Sequence, residues 1–181
     1  KKVAVKRTAT FGGGCFWCTE AVFKMLTGVE RVMPGYATSD PSAPAPTYEE
    51  VSTGKTSYAE VVQIEYDPSI THYDELLNVF FASHDPTTSN RQGNDVGPQY
   101  RSVIFYTEEE ERGEAEEYLR QLQTRHTAQI KTTLELLVHF YPAEDYHCDY
   151  FATHGSAPYC QVIIEPKVEK IKTMFADKIK K

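Results

Sequence analysis

The sequence predicts an α+β fold in a single domain. Strand and helix patterns interleave along the 181 residues, and two neighbouring strand patterns, at 29–37 and 59–66, have no helix pattern between them. A doubly wound parallel sheet requires a crossover helix between such strands. The length suits one domain, assigned here to residues 1–181, and is sufficient to bury a core without disulfide bonds.

The individual elements follow from residue patterns in chain order. A strand pattern containing Val3, Val5 and Phe11 runs into three glycines, and apolar residues at helical spacing then predict a helix over 15–26. Further strands are expected at 29–37, 59–66, 102–106 and 134–140, and further helices at 71–82, about 107–125, 143–151 and 166–180. Residues 38–47, 85–99 and 152–160 are expected to form loops.

Charge and apolarity exclude several classes of function. The net charge of −7 disfavours a broad nucleic-acid-binding face. No apolar run approaches the roughly 18 residues that cross a bilayer, so we expect no stable membrane association. The first residues show no secretion signal. We expect a cytoplasmic location, and because the sequence starts at Lys1, an organellar form with a removed targeting segment stays open.

A thiol follows the three glycines. Gly12, Gly13 and Gly14 precede Cys15, which is expected to open the helix over 15–26. Unpaired N–H groups and the helix dipole stabilise a thiolate at a helix N-terminus and lower the pKa of the thiol. The pattern therefore favours a nucleophilic Cys15. A buried, unreactive cysteine after a flexible turn is the alternative, and the glycine run alone does not decide between them.

The other cysteines leave two further classes open. Cys15 and Cys18 form a C-x-x-C pattern, which is typical of dithiol–disulfide oxidoreductases. A zinc-binding module would have to add Cys148, Cys160 or His147, and those spacings match no standard zinc site, so we expect no metal. A dyad of Cys15 with His147 or His154 is a further possibility, although such histidines are more often surface or packing groups.

One carboxylate falls within an apolar strand pattern. Glu60 lies in the segment Tyr58–Val62, and alternation places it on the same face as the first and last residues of that segment. A buried carboxyl group has a raised pKa and can donate a proton at neutral pH. The alternative is a strand residue that faces solvent. Asp95 lies in a loop with two glycines and an asparagine, where turn formation alone explains it.

Seven sequence blocks resemble the peptide methionine sulfoxide reductase A family. In the order of that family they are Gly12-Gly-Gly-Cys-Phe-Trp17, Pro46-Thr-Tyr-Glu-Glu-Val51, Tyr58-Ala-Glu60, His84-Asp-Pro86, Arg91-Gln-Gly-Asn-Asp95, Gln99-Tyr-Arg-Ser102 and Phe140-Tyr-Pro-Ala-Glu-Asp-Tyr-His147. The resemblance implies a two-layer α+β sandwich with a ferredoxin-like core of mixed sheet and packed helices, over about residues 3–163. The helix at about 166–180 lies outside the resemblance and is expected to be an addition.

The resemblance also implies an activity. The family reduces the S epimer of methionine sulfoxide, free or in proteins, to methionine. Cys15 would attack the sulfoxide sulfur, Glu60 would protonate the oxygen, and Tyr48 and Tyr100 would hydrogen-bond that oxygen. Cys15 would be left as a sulfenic acid, a second cysteine would condense with it to a disulfide, and thioredoxin would restore the dithiol. No metal or bound cofactor is implied, and we expect a monomer.

The remaining roles concern substrate binding and the resolving thiol. Phe16 and Trp17 are implied to hold the S-methyl group of the substrate, and Asp95 to shape or bind at the site. Cys160 resembles the C-terminal resolving cysteine of the family. Cys18 stands where many members have glycine, and it is the second candidate for the resolving role.

Overall fold

The computed structural model describes residues 5–181. The strands are β1 (Arg7–Gly12), β2 (Val29–Thr38), β3 (Ala59–Tyr66), β4 (Arg91–Gln92), β5 (Asp95–Val96), β6 (Val103–Tyr106), β7 (Thr133–Leu136) and β8 (His139–Pro142). The helices are α1 (Phe16–Lys24), α2 (Tyr48–Ser52), α3 (Tyr73–Ser83), α4 (Glu109–Gln123), α5 (Tyr150–Thr153) and α6 (Glu165–Met174). The predicted first strand begins at Arg7, so Val5 precedes it and Val3 lies outside the described residues.

A six-stranded mixed sheet organises the chain. Its strand order is β7-β6-β1-β3-β2-β8, and β4 and β5 form a separate hairpin. Every neighbouring pair in the large sheet is antiparallel except β6 and β7, which are parallel. The α+β class is therefore confirmed. The two-layer, ferredoxin-like description implied by the resemblance is a finer statement and stays a prediction.

The sheet is strongly curled. β7 and β8 lie at opposite edges of the sheet, yet only Leu137 and Val138 separate them in the chain. The Leu137 N–H donates to Tyr106 O at 2.9 Å and the Val138 N–H donates to Thr38 O at 3.1 Å, so these two residues touch both edges. The two edges must therefore approach each other. A small apolar cluster fills the inner face: Ala37, Ala59, Val61, Val103 and Phe105, with Leu137 and Phe140 packed against it.

The other face of the sheet carries the main core. Alternation along β3 sends Val62 and Ile64 to this face, where side chains of α1, α3 and α4 cover them. The Phe11 ring stacks on the Phe80 ring at 4.9 Å between centroids, which ties β1 to α3. The Glu75 carboxylate accepts the His72 N–H at 3.2 Å and so satisfies a free donor at the start of α3.

The structure corrects several element predictions. The apolar segment 134–140 is two strands, β7 and β8, because the chain crosses between sheet edges within it. The segment 143–151 is not one helix: a 3-10 turn spans Asp145–His147, and Asp149 then adopts a left-handed conformation with φ of 56° before α5. Residues 48–52 form the short helix α2, and the segment 85–99 contains the β4–β5 hairpin.

The C-terminal helix begins earlier than expected. A π-helical turn over Cys160–Ile164 runs directly into α6, and a 3-10 turn follows at Ala176–Lys178. Val168 and Ile171 of α6 are buried, and the helix ends at Met174 instead of the predicted residue 180. Among residues 5–181, no helix combines the length and the apolar character that a membrane crossing requires.

Candidate active site

Cys15 lies at the N-terminus of α1, as predicted. Gly14 has a φ of 94°, a conformation that favours glycine, and it turns the chain from β1 into the helix. Cys15 is the N-cap residue with φ of −62° and ψ of 127°, and it is half-buried. The thiol therefore lies next to the free N–H groups of the first helical turn.

Glu60 is buried beside this helix start. The pairing of Phe11 with Val62 places β1 alongside β3, so Glu60 lies close to the turn that follows β1. Its side chain is on the core face, only 2% of the residue is exposed, and its Oε1 accepts the Phe16 N–H at 3.2 Å. Burial raises the pKa of Glu60 to about 8, against the lowering effect of that hydrogen bond, and the charges of Asp95 and Cys18 raise it further. A neutral, proton-donating carboxyl at pH 7 follows.

The pKa of Cys15 differs from the expectation drawn from its helix position. Burial raises the pKa of the Cys15 thiol well above its ordinary value, and hydrogen bonding with Cys18 and the charge of Glu60 act in the same direction. The prediction of a lowered pKa for Cys15 is therefore wrong, because desolvation outweighs the helix terminus. Hydrogen bonding with Cys15 lowers the pKa of Cys18 to about 7 instead.

Two tyrosines lie close enough to Glu60 for its charge to raise the pKa of each phenol. Tyr48 is the first residue of α2, and its N–H donates to Glu144 Oε2 at 3.1 Å. Tyr100 ends the 3-10 turn Pro98–Tyr100. Burial raises the pKa of both phenols, and the charges of Glu60 and Cys15 add to the effect. Both tyrosines therefore stay protonated and can donate hydrogen bonds near the thiol.

The aromatic residues after Cys15 have different environments. Phe16 is 1% exposed, and its ring packs against Tyr48, at 6.5 Å between centroids, and against His147, at 5.0 Å. Trp17 is half-buried, and its Nε1–H donates to His147 Nδ1 at 3.0 Å. The Tyr150 ring stacks on the indole at 3.7 Å with an interplanar angle of 6°. These rings form an apolar wall beside the thiol.

Asp95 and the C-terminal segment contact each other beside Cys18. The Tyr159 hydroxyl donates to Asp95 Oδ2 at 3.2 Å and lies 3.9 Å from Cys18 Sγ. Cys160 is completely buried in one cluster with Cys18, and Cys15 packs against that cluster. The structure thus brings together all the residues that the sequence singled out for the site.

The sequence reasoning missed two residues that surround Trp17, Tyr150 and Tyr159, and it gave His147 too small a role in the site. His147 is buried, and the hydrogen bond from Trp17 fixes its Nδ1 as an acceptor, so it orients the indole and does not form a dyad with Cys15. Tyr150 and Tyr159 cover Trp17 from the C-terminal segment. The position of Tyr159 directly before Cys160 was the only available signal. Within residues 5–181, no group of three or more His, Cys, Asp or Glu side chains could hold a metal ion.

A thiol at a helix N-terminus with a buried carboxyl beside it is an arrangement typical of thiol-dependent oxidoreductases. The chain belongs to the peptide methionine sulfoxide reductase family, whose family model matches residues 7–179. That match includes the C-terminal helix, which the sequence blocks had left without a counterpart. The protein is a peptide methionine sulfoxide reductase, and hence an oxidoreductase.

Relatives and solved structures agree with this assignment. The chain is 54% identical over 172 residues to the peptide methionine sulfoxide reductase MsrA of Saccharolobus solfataricus, covering 95% of this chain and 96% of the relative. It is 53% identical over 167 residues to an MsrA of Thermus thermophilus, covering 92% and 94%. Reduced Mxr1 from Saccharomyces cerevisiae superposes with a TM-score of 0.77 at 33% identity, covering 86% of this chain and 89% of that structure. A structure of Mxr1 in complex with Trx2 has a TM-score of 0.57 at 24% identity, covering 81% and 90%.

Proposed function

We propose that the enzyme reduces the S epimer of methionine sulfoxide, free or within proteins, with Cys15 as nucleophile and Glu60 as acid. The observation that carries this proposal is the buried Glu60 carboxyl, which accepts the Phe16 N–H one residue beyond the thiol. A sulfoxide sulfur is a poor electrophile until the sulfoxide oxygen is protonated, so a neutral acid next to a sulfur nucleophile suits this reaction.

The first step transfers oxygen from substrate to enzyme. Cys15 gives up its thiol proton to solvent as its sulfur bonds to the sulfoxide sulfur, and the Glu60 proton passes to the sulfoxide oxygen. The oxygen then moves to Cys15 and the sulfur–sulfur bond breaks, which releases the thioether. The methionine sulfur is reduced by two electrons, Cys15 is oxidised by two electrons to a sulfenic acid, and Glu60 is left as a carboxylate.

Hydrogen bonds and the apolar wall orient the substrate. Protonated Tyr48 and Tyr100 donate to the sulfoxide oxygen, which polarises the sulfur–oxygen bond further. Phe16 and Trp17 hold the S-methyl group against the wall, and Asp95 shapes the opposite side of the pocket. None of these roles calls for a metal ion or a bound cofactor.

A second thiol resolves the sulfenic acid. It attacks the Cys15 sulfur, which forms a disulfide and releases water. The resemblance favours Cys160, whereas the geometry favours Cys18 as the first attacker. Cys18 is close enough to Cys15 for each thiol to shift the pKa of the other, and its own pKa is lowered to about 7. Cys160 is fully buried behind Cys18, and burial raises its pKa.

Disulfide mapping by mass spectrometry after one turnover without reductant distinguishes the two thiols. If Cys18 attacks first, Cys160→Ser still forms the Cys15–Cys18 disulfide at the wild-type rate, and Cys18→Ser accumulates the Cys15 sulfenic acid. If Cys160 resolves directly, Cys18→Ser forms the Cys15–Cys160 disulfide without delay.

Thioredoxin is the proposed reductant of the resulting disulfide. Mxr1, which resembles this chain at 33% identity in its reduced form, has also been solved in complex with Trx2. A thioredoxin and thioredoxin reductase mixture should therefore sustain NADPH consumption that depends on added methionine sulfoxide. Sustained turnover with dithiothreitol but none with several thioredoxins would exclude this reductant.

The experiment that tests the whole proposal measures consumption of the separate S and R epimers of methionine sulfoxide, with dithiothreitol as reductant. Wild-type enzyme should consume only the S epimer, and Cys15→Ser should consume neither. Ile70→Ser is the control and should consume only the S epimer, because Ile70 is an exposed residue in the segment before α3. Equal consumption of both epimers, or activity in Cys15→Ser, would contradict the proposal.

A further inference from the structure

The indole of Trp17 is oriented almost entirely by the C-terminal segment. Its N–H donates to His147, one of its faces is covered by Tyr150 at 3.7 Å, and Tyr159 approaches edge-on at 5.8 Å. The position of residues 147–159 relative to α1 therefore decides where the indole lies. The backbone of this segment is hydrogen-bonded to a buried carboxyl group on α1 itself.

Glu20 lies on α1 one turn after Trp17 and is 2% exposed. Its Oε2 accepts the N–H of Asp149 at 3.1 Å, directly before the first residue of α5. Burial raises the pKa of Glu20 to about 7, although Lys24 lies 3.7 Å away and acts in the opposite direction. Burying a carboxylate costs desolvation free energy, and hydrogen bonds such as the one from the Asp149 N–H offset part of that cost.

The hydrogen bond to Glu20 holds Asp149 in a backbone conformation that would otherwise be unfavourable. Asp149 has a φ of 56°, in the left-handed region, which costs a residue with a side chain roughly 1–2 kcal/mol. That conformation breaks the chain direction between the Asp145–His147 turn and α5, and so aims Tyr150 back toward α1. Lys24 also pairs with the Asp149 carboxylate, but both groups are solvent-accessible, so this ion pair contributes little.

We propose that Glu20 is a positioning residue for the reaction: by holding the Asp149 N–H, it keeps Tyr150 stacked on Trp17 and the methyl-binding wall in place. The helix that carries Cys15 and Trp17 thus also anchors the segment that orients Trp17. The inference rests on the proposed role of Trp17 in binding the S-methyl group. In this role Glu20 acts through the Asp149 N–H and not by direct contact with Cys15 or the substrate.

The test uses Trp17 as its own probe, because it is the only tryptophan among the 181 residues. Glu20→Ala should make the indole more accessible, with about a twofold larger acrylamide quenching constant and a red-shifted emission in the absence of substrate. The KM for S-methionine sulfoxide should rise about tenfold, as expected for loss of one charge-assisted hydrogen bond, with kcat changed less than twofold. Glu20→Gln keeps an acceptor oxygen and should restore most of both properties.

Glu117→Ala is the matched control, since Glu117 is exposed on α4 and contacts only neighbours on that helix. It should leave quenching and KM unchanged. Wild-type quenching and KM in a folded Glu20→Ala variant would overturn the proposal. Because quenching is measured without substrate, it judges the role of Glu20 even if wild-type enzyme consumes neither epimer, an outcome that would remove the proposed function alone.

A second pair of variants keeps the test decisive if Glu20→Ala does not fold. Asp149→Gly and Asp149→Ala both lose the Lys24 ion pair and both keep the N–H, but only glycine adopts the left-handed conformation without cost. Quenching should be near wild type in Asp149→Gly and increased in Asp149→Ala. Identical quenching in the two variants would show that this backbone conformation does not position the indole.

Discussion

Replacing Glu60 with glutamine should make the protein more stable and nearly inactive, and the gain in stability should depend on pH. Burial raises the pKa of Glu60 to about 8 in the folded state, from an ordinary value of 4.5. A group with a raised folded pKa favours folding fully below its unfolded pKa, and that advantage is lost as the pH rises through the folded pKa. Above pH 4.5 the wild-type protein therefore bears a growing cost that a neutral glutamine avoids.

The size of this cost follows from the two pKa values. Linkage gives about 1 kcal/mol at pH 5, about 3 kcal/mol at pH 7 and about 5 kcal/mol at pH 9 for the destabilisation of wild type relative to Glu60→Gln. The glutamine oxygen can still accept the Phe16 N–H, so the comparison isolates the charge. A cost of about 3 kcal/mol is a large fraction of the roughly 5–15 kcal/mol that holds a typical domain folded.

Urea unfolding of both proteins at pH 5, 7 and 9, followed by circular dichroism, measures the difference directly. Glu65→Gln is the control, because Glu65 lies on the same strand but reaches solvent and contacts Lys6. It should lack the pH-dependent gain. A difference between Glu60→Gln and wild type that stays constant from pH 5 to pH 9 would refute desolvation as the source of the raised pKa.

Three further predictions concern the site and the sheet. Tyr100→Phe should lower kcat/KM for S-methionine sulfoxide about fivefold, the loss of one neutral hydrogen bond, in steady-state assays; an unchanged value would remove its hydroxyl from the reaction. Iodoacetamide labelling of Cys15, followed by peptide mass spectrometry, should keep accelerating above pH 9, because burial raises the pKa of its thiol; a plateau below pH 8 would contradict this. Gly35→Ala should lower the free energy of unfolding by about 1–3 kcal/mol, because the added Cβ would meet Tyr141 O at 2.5 Å. Gly113→Ala, whose Cβ would meet nothing within 4 Å, should raise the free energy of unfolding by about 0.5–1 kcal/mol. Equal urea midpoints for the two variants would refute the contact at Gly35.

Much of the fold could be predicted because hydrophobic periodicity is local information. The strand pattern at 59–66 has the same bounds as β3, and its alternation placed Glu60 on the core face correctly. The break between β7 and β8 could not be predicted from the segment 134–140. The chain crosses there from one sheet edge to the other, but it is extended and apolar on both sides of the crossing. Only the tertiary hydrogen bonds of Leu137 and Val138 reveal the break.

The site was predictable where it depends on residue type and not where it depends on packing. Family blocks implied roles for Cys15 and Glu60, and the structure places the two residues close together. Helix position alone gave the wrong direction for the thiol pKa, since desolvation is set by neighbours distant in sequence. Burial along α1 also differs from what residue type suggests. The charged residue Glu20 is buried, whereas the apolar residue Trp17 is only half-buried. A charged residue on a helix gives no local sign that a distant backbone N–H satisfies it.

The raised pKa values of Cys15 and Glu60 have a common cause and a chemical consequence. Burial favours the protonated form of both groups, so under the proposed mechanism Glu60 holds the proton that the sulfoxide oxygen needs. A sulfoxide brings partial positive charge on sulfur next to the thiol and a strong acceptor oxygen next to the carboxyl. In the proposed mechanism, a bound sulfoxide would therefore stabilise the Cys15 thiolate and accept a hydrogen bond from protonated Glu60. Activation of Cys15 would then depend on bound substrate, because burial raises the pKa of its thiol and the thiolate is the nucleophile.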